Sequence, residues 1–574
     1  MRLELYYILF LFLPVMAYSQ GIIIASNTYV IAGDGSIVLR ANWANNGTFV
    51  HNNGVIVFAG TTQVIAGTSA TTFNNITIAT GSTTTISSTG HSLKAILLSN
   101  GTLQANGNLT LLSTAAQTAL IDGSGTGEVL GNIDMQRYLS SGFGYRYFSS
   151  PFQAATVNEF SDDVNLNATF PAFYRYDENL PSSGWVRYTN TSNTLTPMQG
   201  YAANMGASST AKTADITGVV NNHTITSATL YNHNQPYTLG FNLAGNPYPS
   251  PIDWNTASGW SRTNIDNALY YFNTGAGNQY TGTYSSYING VSSDGIAGHV
   301  IAAMQGFFVH VSIGTFPVAA TLSVNNNARL NNLLPDFHRL IPLTSPLLRL
   351  TAGFKDDVTA ADPMVVYFDD NATKAFDTEM DALKLMNTDG EVPSLYVISP
   401  DAARLSICSW PGMKDSADVI QLGLKTERAG WITFNASDLE RIPYGQHIYL
   451  YDSKTGIRQD LEEHPGYRLY LNAGGYENRF FLVFRVKDPD ILPEAPTAIF
   501  NAYTAGGKLL AHIGEMRGEV CDVMITNMLG QVILRKQLYG NGYHDLGSEF
   551  RNGVYIVTFF VQQQKFSKKI LISN

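Results

Sequence analysis

Short apolar segments separated by turn residues are the main pattern of the chain from residue 21 to about residue 130. The segments recur about every seven to twelve residues, and the turns between them are rich in Asn, Gly, Thr and Ser. The apolar segments are Ile37–Leu39, Thr48–Val50, Val55–Phe58, Val64–Ile65, Ile76–Ile78, Ala95–Leu98 and Leu109–Leu112. Strands this short suit a solenoid, in which each rung buries its apolar face against its neighbours. The pattern predicts a stacked β-solenoid over residues 20–131, although a β-sandwich with regular hairpins has similar spacing.

A degenerate repeat of aromatic segments follows the solenoid. Its first copy contains Tyr145–Phe152, Phe173–Asp177 and Thr196–Tyr201, and its second contains Leu243–Tyr248, Leu269–Asn273 and Ala302–Val309. Equivalent landmarks recur after about 100 residues, which is the size of a domain. The repeat predicts two related β modules, at residues 132–225 and 226–332.

Strand-like segments recur from residue 347 to residue 487 and predict a β-sandwich. Within it, Asp377–Met386 has apolar residues among polar neighbours and is predicted to form a short helix. Three prolines then mark residues 488–496 as a linker, because proline cannot supply the N–H of a paired central strand. Residues 497–574 form a last, strand-rich domain.

The last domain contains a strand that ends in Leu529-Gly530, a Gly-Val-Tyr-Ile-Val strand from Gly553 to Val557, and a closing Lys568-Lys569-Ile570 strand. All three features occur in the order found in the type A C-terminal sorting domain of the Bacteroidetes type IX secretion system, and the segment closely resembles that family. The resemblance implies an Ig-like domain, a partner in the type IX secretion machinery, and a sorting signal. The signal would comprise Gly530, Gly553, Tyr555, Val557, Lys568, Lys569 and Ile570.

Two weaker resemblances agree with this one. The solenoid pattern resembles the right-handed parallel β-helix segments of bacterial surface proteins. The two modules, with Gly-Asn-Pro-Tyr at 245–248 and Gln-Gly-Phe-Phe-Val at 305–309, resemble modules of large secreted Bacteroidetes proteins. The fold class is therefore expected to be all-β and multidomain.

The N-terminus has the features of a secretory signal peptide at residues 1–19. Arg2 precedes the apolar run Leu5–Leu13, and a small-residue exit follows, so cleavage is expected after Ser19. Downstream there is no stretch of about 18 apolar residues, and no transmembrane segment is expected in the mature chain. The predicted location is secreted or attached to the outer-membrane surface, reached through the periplasm.

Composition and charge mainly exclude certain partners and kinds of site. Charged residues make up only 14% of the chain and the net charge is −10 with no basic block, so nucleic acid is not an expected partner. The two cysteines, Cys408 and Cys521, are too far apart and too few for a disulfide framework or a thiolate metal site, and are interpreted as small buried apolar residues.

Several short motifs resemble parts of catalytic or metal-binding sites, but each lacks residues that such a site needs. Gly67–Ala70 is similar to the nucleophile segment of subtilisin-like proteases but lacks its continuation, and the glycines from Gly123 to Gly131 lack the Lys and helix of a phosphate loop. Glu462–His464 lacks a second His for a metal site. No cofactor is expected. Ca²⁺ remains an alternative to solvated strand ends at the acidic pairs Asp356-Asp357, Asp369-Asp370 and Asp488/Asp490.

Aromatic residues of the two modules are candidates for a platform that stacks on sugars or on an apolar surface. The candidates are Tyr174, Tyr176, Trp185, Tyr270 and Tyr271, with Tyr188, Trp254 and Trp260 nearby. A sandwich core built from the same residues is the alternative. The tripeptide Asp415–Ala417 also resembles a short Bacteroidetes O-glycosylation sequon.

The predicted function is that of an exported, non-enzymatic surface protein that acts in adhesion by binding a glycan or a matrix ligand. The alternative is a polysaccharide-degrading lyase or hydrolase that uses the β-helix. Such an enzyme needs charged residues on successive rungs, and residues 21–130 contain only a handful, namely Asp34, Arg40, Lys94, Asp122 and Glu128. Because charged residues are scarce in this segment, the polysaccharide-degrading enzyme is the less favoured alternative.

Overall fold

The computed structural model describes residues 21–170, 172–334, 345–354, 360–412, 419–443, 446–486, 500–505, 508–513, 520–539, 542–561 and 564–572. The predicted signal peptide, the linker at 488–496, Asp356-Asp357, Asp488/Asp490 and Asp415–Ala417 lie outside these residues. Contacts divide the chain into two compact units. The first comprises residues 1–281 and 298–339, and the second comprises residues 282–297 and 340–574.

The first unit begins with a parallel β-solenoid, which confirms the predicted all-β solenoid. Its strands are β1 (Ile22–Ile24), β2 (Tyr29–Ala32), β3 (Ser36–Leu39), β4 (Trp43–Asn45), β5 (Thr48–His51), β6 (Val55–Phe58), β7 (Thr62–Ala66), β8 (Thr72–Phe73), β9 (Asn75–Ile78), β10 (Thr83–Ile86), β11 (His91–Leu93), β12 (Ile96–Ser99), β13 (Thr102–Gln104), β14 (Leu109–Leu111), β15 (Leu120–Ile121), β16 (Glu128–Leu130) and β17 (Asn132–Leu139).

Strands one rung apart pair in parallel. One sheet has the order β1-β4-β7-β10-β13-β16 and another the order β3-β6-β9-β12-β15, while β2 pairs with β5. The ladder Ile22, Trp43, Ile65 and Ile86 joins four rungs through residues 21, 22 and 21 positions apart. Because side chains alternate across a strand, Trp43 and Ile65 point into the interior with no exposed area.

The third solenoid sheet continues beyond the solenoid. It runs β8-β11-β14-β17 with parallel pairs and is extended by antiparallel pairing of β17 with β23. A single apolar core accordingly extends from Ile24 in the solenoid to Phe173 and Tyr201 in the following module.

The strands of the aromatic region are short and mostly antiparallel. They are β18 (Tyr145–Ser149), β19 (Phe152–Gln153), β20 (Phe173–Tyr176), β21 (Trp185–Arg187), β22 (Gly200–Asn204), β23 (Lys212–Val220), β24 (Ile225–Thr226), β25 (Leu230–Asn232), β26 (Phe241–Gly245), β27 (Ile252–Asp253), β28 (Trp260–Thr263), β29 (Leu269–Thr274), β30 (Gly282–Ile288), β31 (Val291–Ser292), β32 (Val300–Ile301), β33 (Gly306–His310) and β34 (Val318–Val324). Two 3-10 helices lie at Val157–Phe160 and Asn326–Ala328.

The half-buried Arg329 joins the end of this region to the solenoid. Its guanidinium donates to the Ile121 carbonyl and to Ser250 Oγ, and lies 5.0 Å from the Tyr248 ring centre. Burial lowers the pKa of Arg329 to about 10, which leaves it charged at neutral pH. These contacts hold the solenoid and the second module in one compact unit.

The second unit contains the hairpin β30/β31 and a larger sheet. The strands of that sheet are β35 (Leu347–Gly353), β36 (Ala361–Phe368), β37 (Ala382–Leu383), β38 (Ser394–Ile398), β39 (Arg404–Trp410), β40 (Val419–Thr426), β41 (Gly430–Glu440), β42 (Gln446–Asp452), β43 (Ile457–Asp460), β44 (Gly466–Leu471) and β45 (Gly474–Val486). They form one sheet of order β43-β42-β45-β40-β38-β39-β36-β35-β41-β44, to which β37 is added through β39. The sheet folds over itself, because the rings of Phe434 on β41 and Phe480 on β45 lie 4.9 Å apart in the shared core.

The predicted helix at Asp377–Met386 is wrong. Residues 378–380 form a turn and Ala382–Leu383 form β37, which pairs with β39. The Asp381 carboxylate accepts hydrogen bonds from the backbone N–H and the hydroxyl of Ser409, at 2.5 and 2.7 Å. These contacts across the sheet outweigh the local helical pattern.

The C-terminal domain is a two-sheet sandwich with its own core. Its strands are β46 (Phe500–Ala505), β47 (Lys508–Ile513), β48 (Val520–Asn527), β49 (Val532–Tyr539), β50 (Gly542–Gly547), β51 (Gly553–Val561) and β52 (Gln564–Ile572). The sheets have the orders β46-β47-β50 and β49-β48-β51-β52. Phe500 and Phe559 stack across the core at 5.3 Å. Among the described residues of the whole chain, no helix has the length and apolar character needed to span a membrane.

Candidate functional sites

The aromatic residues proposed as a platform pack mainly on one another. Tyr176 and Trp185 are directly cross-strand on β20 and β21, and their rings lie 5.0 Å apart at 79°. Phe308, from β33, contacts both rings at 4.9 and 6.1 Å. The Tyr174 ring lies 6.3 Å from that of Trp185. The structure therefore brings Tyr174, Tyr176 and Trp185 together, half-buried where strands of the two modules meet.

Two other proposed platform residues lie apart from this group. Tyr270 is 1% exposed beneath Phe241, so it is a core residue and its proposed role in ligand stacking is wrong. Tyr271 is half-buried and its hydroxyl donates to the Gly298 carbonyl at 3.0 Å. Trp254 is likewise 1% exposed.

The residues of the predicted sorting signal lie in the hairpin that ends the chain and in one turn. Gly530 has a φ of 79° and closes the β48/β49 turn, where Asn527 Oδ1 accepts from the N–H of Leu529 and of Gln531, both at 3.0 Å. Only a residue that tolerates the left-handed region fits at Gly530, which accounts for glycine in the Leu-Gly turn.

Strand β51 supplies the core-facing residues of this hairpin. Gly553 begins the strand, Val557 has no exposed area, and the buried Tyr555 donates its hydroxyl to the Arg551 carbonyl at 2.9 Å.

The two lysines of the predicted sorting signal lie on opposite faces of strand β52. Because Val557 pairs with Lys568, and Ile556 with Lys569, the two lysines point to opposite faces of the sheet. Partial desolvation lowers the pKa of Lys568, which is exposed although it lies on the same face of the strand as the buried Ile570.

A cleft of about 580 Å³ lies on the sheet of the second unit, at β38, β40 and β45. Its volume is within the range typical of ligand sites. Its lining consists of Met386, Tyr396, Arg404, Lys425, Thr426, Glu427, Ala473, Gly474, Gly475 and Glu477. A Cβ atom added at Gly474 or Gly475 would have no non-neighbouring atom within 4 Å, so these glycines leave space above β45.

Ion pairs and one buried ring organise the polar groups of the cleft. Arg404 Nη2 lies 2.8 Å from Glu477 Oε1, which also accepts from the Tyr396 hydroxyl at 3.1 Å. Lys425 and Glu427 pair at 2.8 Å on the same cleft. Burial, and then the Glu477 carboxylate, raises the pKa of Tyr396 to about 12, so its hydroxyl remains a donor. The cleft thus offers exposed donors and acceptors over a buried ring.

A cluster of three ligand-type side chains lies at the end of the β42/β43 hairpin. His447 Nδ1 lies 2.7 Å from Asp460 Oδ2, and one ligand atom from each of His447, Asp460 and Glu463 lies within 4.8 Å of the others. The sequence drew attention to Glu462–His464 but not to His447. Antiparallel pairing of Tyr449 with Asp460 brings that imidazole beside the turn, and only a prediction of this hairpin would have revealed it.

The remaining motifs have structural roles. Gly67–Ala70 is a turn between β7 and β8 in which the Ser69 N–H donates to the Asn45 carbonyl at 2.9 Å. The glycines from Gly123 to Gly131 connect β15 to β16 and β17 within the solenoid. Asp369 accepts from the backbone and side-chain nitrogens of Asn371, at 2.8 and 3.1 Å. Cys408 and Cys521 are both buried.

The architecture defines an all-β, multidomain protein with an N-terminal solenoid. Residues 38–484 of the 574-residue chain match a family described as a domain of unknown function, DUF8693, and the chain belongs to this family. Comparison with curated proteins gave no match. The matched segment extends from β3 to β45, so the C-terminal domain lies entirely outside it.

Proposed function

We propose that this protein is exported to the cell surface or the medium and acts there as a non-enzymatic binding protein. The observation that carries the proposal is the separate C-terminal domain. It has its own core, lies outside the family match, and ends in the β51/β52 hairpin that contains most of the predicted sorting residues. A separate domain outside the family match is suited to act as a sorting signal for the rest of the chain.

The proposed partner of this domain is the type IX secretion machinery. Strand β52 is one edge of the four-stranded sheet in this domain. The Leu-Gly turn also exposes apolar surface, since Leu529 is 85% and Met528 59% exposed. A domain that presents an edge strand and an exposed apolar turn suits a signal read after folding.

Deletion of residues 497–574 is expected to leave the protein in the periplasm of a bacterium that has a type IX secretion system. Cell fractionation of the full and truncated chains measures this. Lys508→Ala is the matched control, because it removes only an exposed ion pair with Asp545 in the same domain and should leave export unchanged. The proposed export by the type IX route is contradicted if the truncated protein remains protease-resistant and still reaches the surface or the medium.

We assign the binding role to the cleft around Arg404 and Glu477 and propose a polar glycan as its ligand. The charges of the cleft are paired with each other, so a neutral ligand rich in hydroxyl groups suits it better than a strongly charged one. The Tyr174, Tyr176 and Trp185 group, whose rings mostly contact other rings, remains a less favoured proposal.

Arg404→Ala is expected to weaken binding of a glycan found by array screening of the 20–490 fragment by at least tenfold, or about 1.4 kcal/mol. The substitution removes a cleft donor and leaves Glu477 without its ion-pair partner. Arg175→Ala, which removes the half-buried ion pair of Arg175 with Asp177 in the first unit, is the matched control. Equal binding by both variants would place the glycan elsewhere, and turnover of a polysaccharide by the fragment would favour an enzyme instead.

A further inference from the structure

The β42/β43 hairpin places an imidazole among carboxylates in the second unit. His447 is 8% exposed and its Nδ1 lies 2.7 Å from Asp460 Oδ2. Glu462 Oε2 lies 3.8 Å from the same Nδ1. Two carboxylates, those of Asp460 and Glu462, thus lie near one imidazole nitrogen, and a carboxylate oxygen of Glu463 lies within 4.8 Å of a ligand atom of His447 and of Asp460.

We propose that His447, Asp460 and Glu463 bind a divalent transition-metal ion, with Zn²⁺ as the preferred ion. Tetrahedral Zn²⁺ holds ligand atoms at about 2.0–2.2 Å, which places them about 3.3–3.6 Å from one another. The 2.7 Å contact between His447 and Asp460 must open slightly, and the wider separations, up to 4.8 Å, must close. Glu463 is exposed, and a change of its side-chain rotamer would bring its carboxylate closer to the other two ligands.

The donor set selects the class of metal. Imidazole nitrogen with carboxylate oxygen suits Zn²⁺ and its neighbours in the first transition row, whereas Ca²⁺ takes oxygen ligands almost exclusively. The metal would take the place of the proton between His447 Nδ1 and Asp460 Oδ2, and that proton would pass to solvent. Three protein ligands leave a fourth position for water or for an oxygen of a bound molecule.

Backbone contacts position the ligand turn. Asp460 Oδ1 accepts from the N–H of Glu462 at 3.0 Å and from that of Glu463 at 3.3 Å, while its Oδ2 faces His447. The carbonyl of Asp460 accepts from the N–H of His464 at 3.0 Å. A bound ion would therefore tie the turn at 461–464 to β42 without rebuilding the hairpin.

Calorimetric titration of the full chain, stripped with chelator and dialysed, tests the site with Zn²⁺ alone and with Ca²⁺ alone. We expect one Zn²⁺ per chain, and at least tenfold weaker binding in Glu463→Gln, whose change is at the surface. His447→Gln should lose the site, and a melting temperature that rises with Zn²⁺ in the parent but not in Glu463→Gln supports it independently.

His233→Gln is the matched control. His233 also pairs with a carboxylate, that of Glu178, at 2.7 Å, so its loss should leave the stoichiometry at one. Absence of Zn²⁺ binding by the parent overturns the proposal, as does unchanged affinity in Glu463→Gln and His447→Gln. Binding of Ca²⁺ in preference to Zn²⁺ overturns the role of the imidazole.

Discussion

Replacement of Lys384 by Met is expected to lower the free energy of unfolding of the second unit by about 3–5 kcal/mol. Lys384 Nζ lies 2.5 Å from Asp362 Oδ2, and the two side chains are 1% and 0% exposed. Asp362 Oδ2 also accepts from the Leu395 N–H at 2.6 Å, whereas Oδ1 is buried without a hydrogen-bond partner. Removal of the ammonium leaves a carboxylate in the core without its counter-charge, and its desolvation is then not offset.

A double variant separates loss of the pair from loss of packing. In Lys384→Met with Asp362→Asn, the amide keeps an acceptor for the Leu395 N–H and carries no charge, so most of the lost stability should return. We expect a coupling energy of at least about 2 kcal/mol between the two sites. The reverse single variant, Asp362→Asn, leaves the buried ammonium unpaired and should also be costly.

The measurement must report on the second unit, because a chain with two compact units need not unfold in one step. Native-state hydrogen exchange of peptides from β36, β38 and β39 gives the local free energy of opening. Lys425→Met is the control, since its ion pair with Glu427 is 52% and 61% exposed and should contribute less than about 1 kcal/mol. If Lys384→Met is no more costly than this control, the buried pair is not a major source of stability.

The solenoid and the all-β class could be predicted from the sequence because their determinants are local. Each rung repeats a short apolar strand and a turn, and the partner of Trp43 lies only 22 residues away, at Ile65. Alternation along the strand then decides which side chains are buried. A reader of the sequence needs no distant contact to reach this result.

The failures arise where strand pairing that no repeat in the sequence indicates decides the outcome. The segment at Asp377–Met386 has a helical pattern, yet pairing of Ala382 with Ile407 makes part of it a strand. Tyr174 and Tyr176 are two residues apart on β20, but Phe308, which packs against Tyr176, lies far along the chain. His447 and Asp460 lie close in sequence, but their contact depends on the register of the β42/β43 hairpin, which no repeat in the sequence reveals.

Gly67→Ala is expected to destabilise the first unit by about 2–5 kcal/mol, the second large effect. Gly67 has a φ of 132°, a conformation that side-chain-bearing residues rarely adopt, and an added Cβ would lie 1.9 Å from the Asn45 carbonyl oxygen. That oxygen accepts the Ser69 N–H, and the Asn45 side chain donates to the Ala70 carbonyl and the Thr71 hydroxyl. The added methyl group would therefore disrupt the hydrogen bonds that join one rung of the solenoid to the next.

Hydrogen exchange along the solenoid distinguishes a local from a general effect of Gly67→Ala. Because each rung of a solenoid is stabilised mainly by its neighbours, β4, β7 and β8 should lose protection first and β13 to β16 should lose less. Gly33→Ala is the control, since no atom lies within 4 Å of its Cβ position, and its effect should stay within about 0.5 kcal/mol. Equal protection in the two variants would mean that the backbone at Gly67 can move away from Asn45, and that close rung contact is not what requires glycine there.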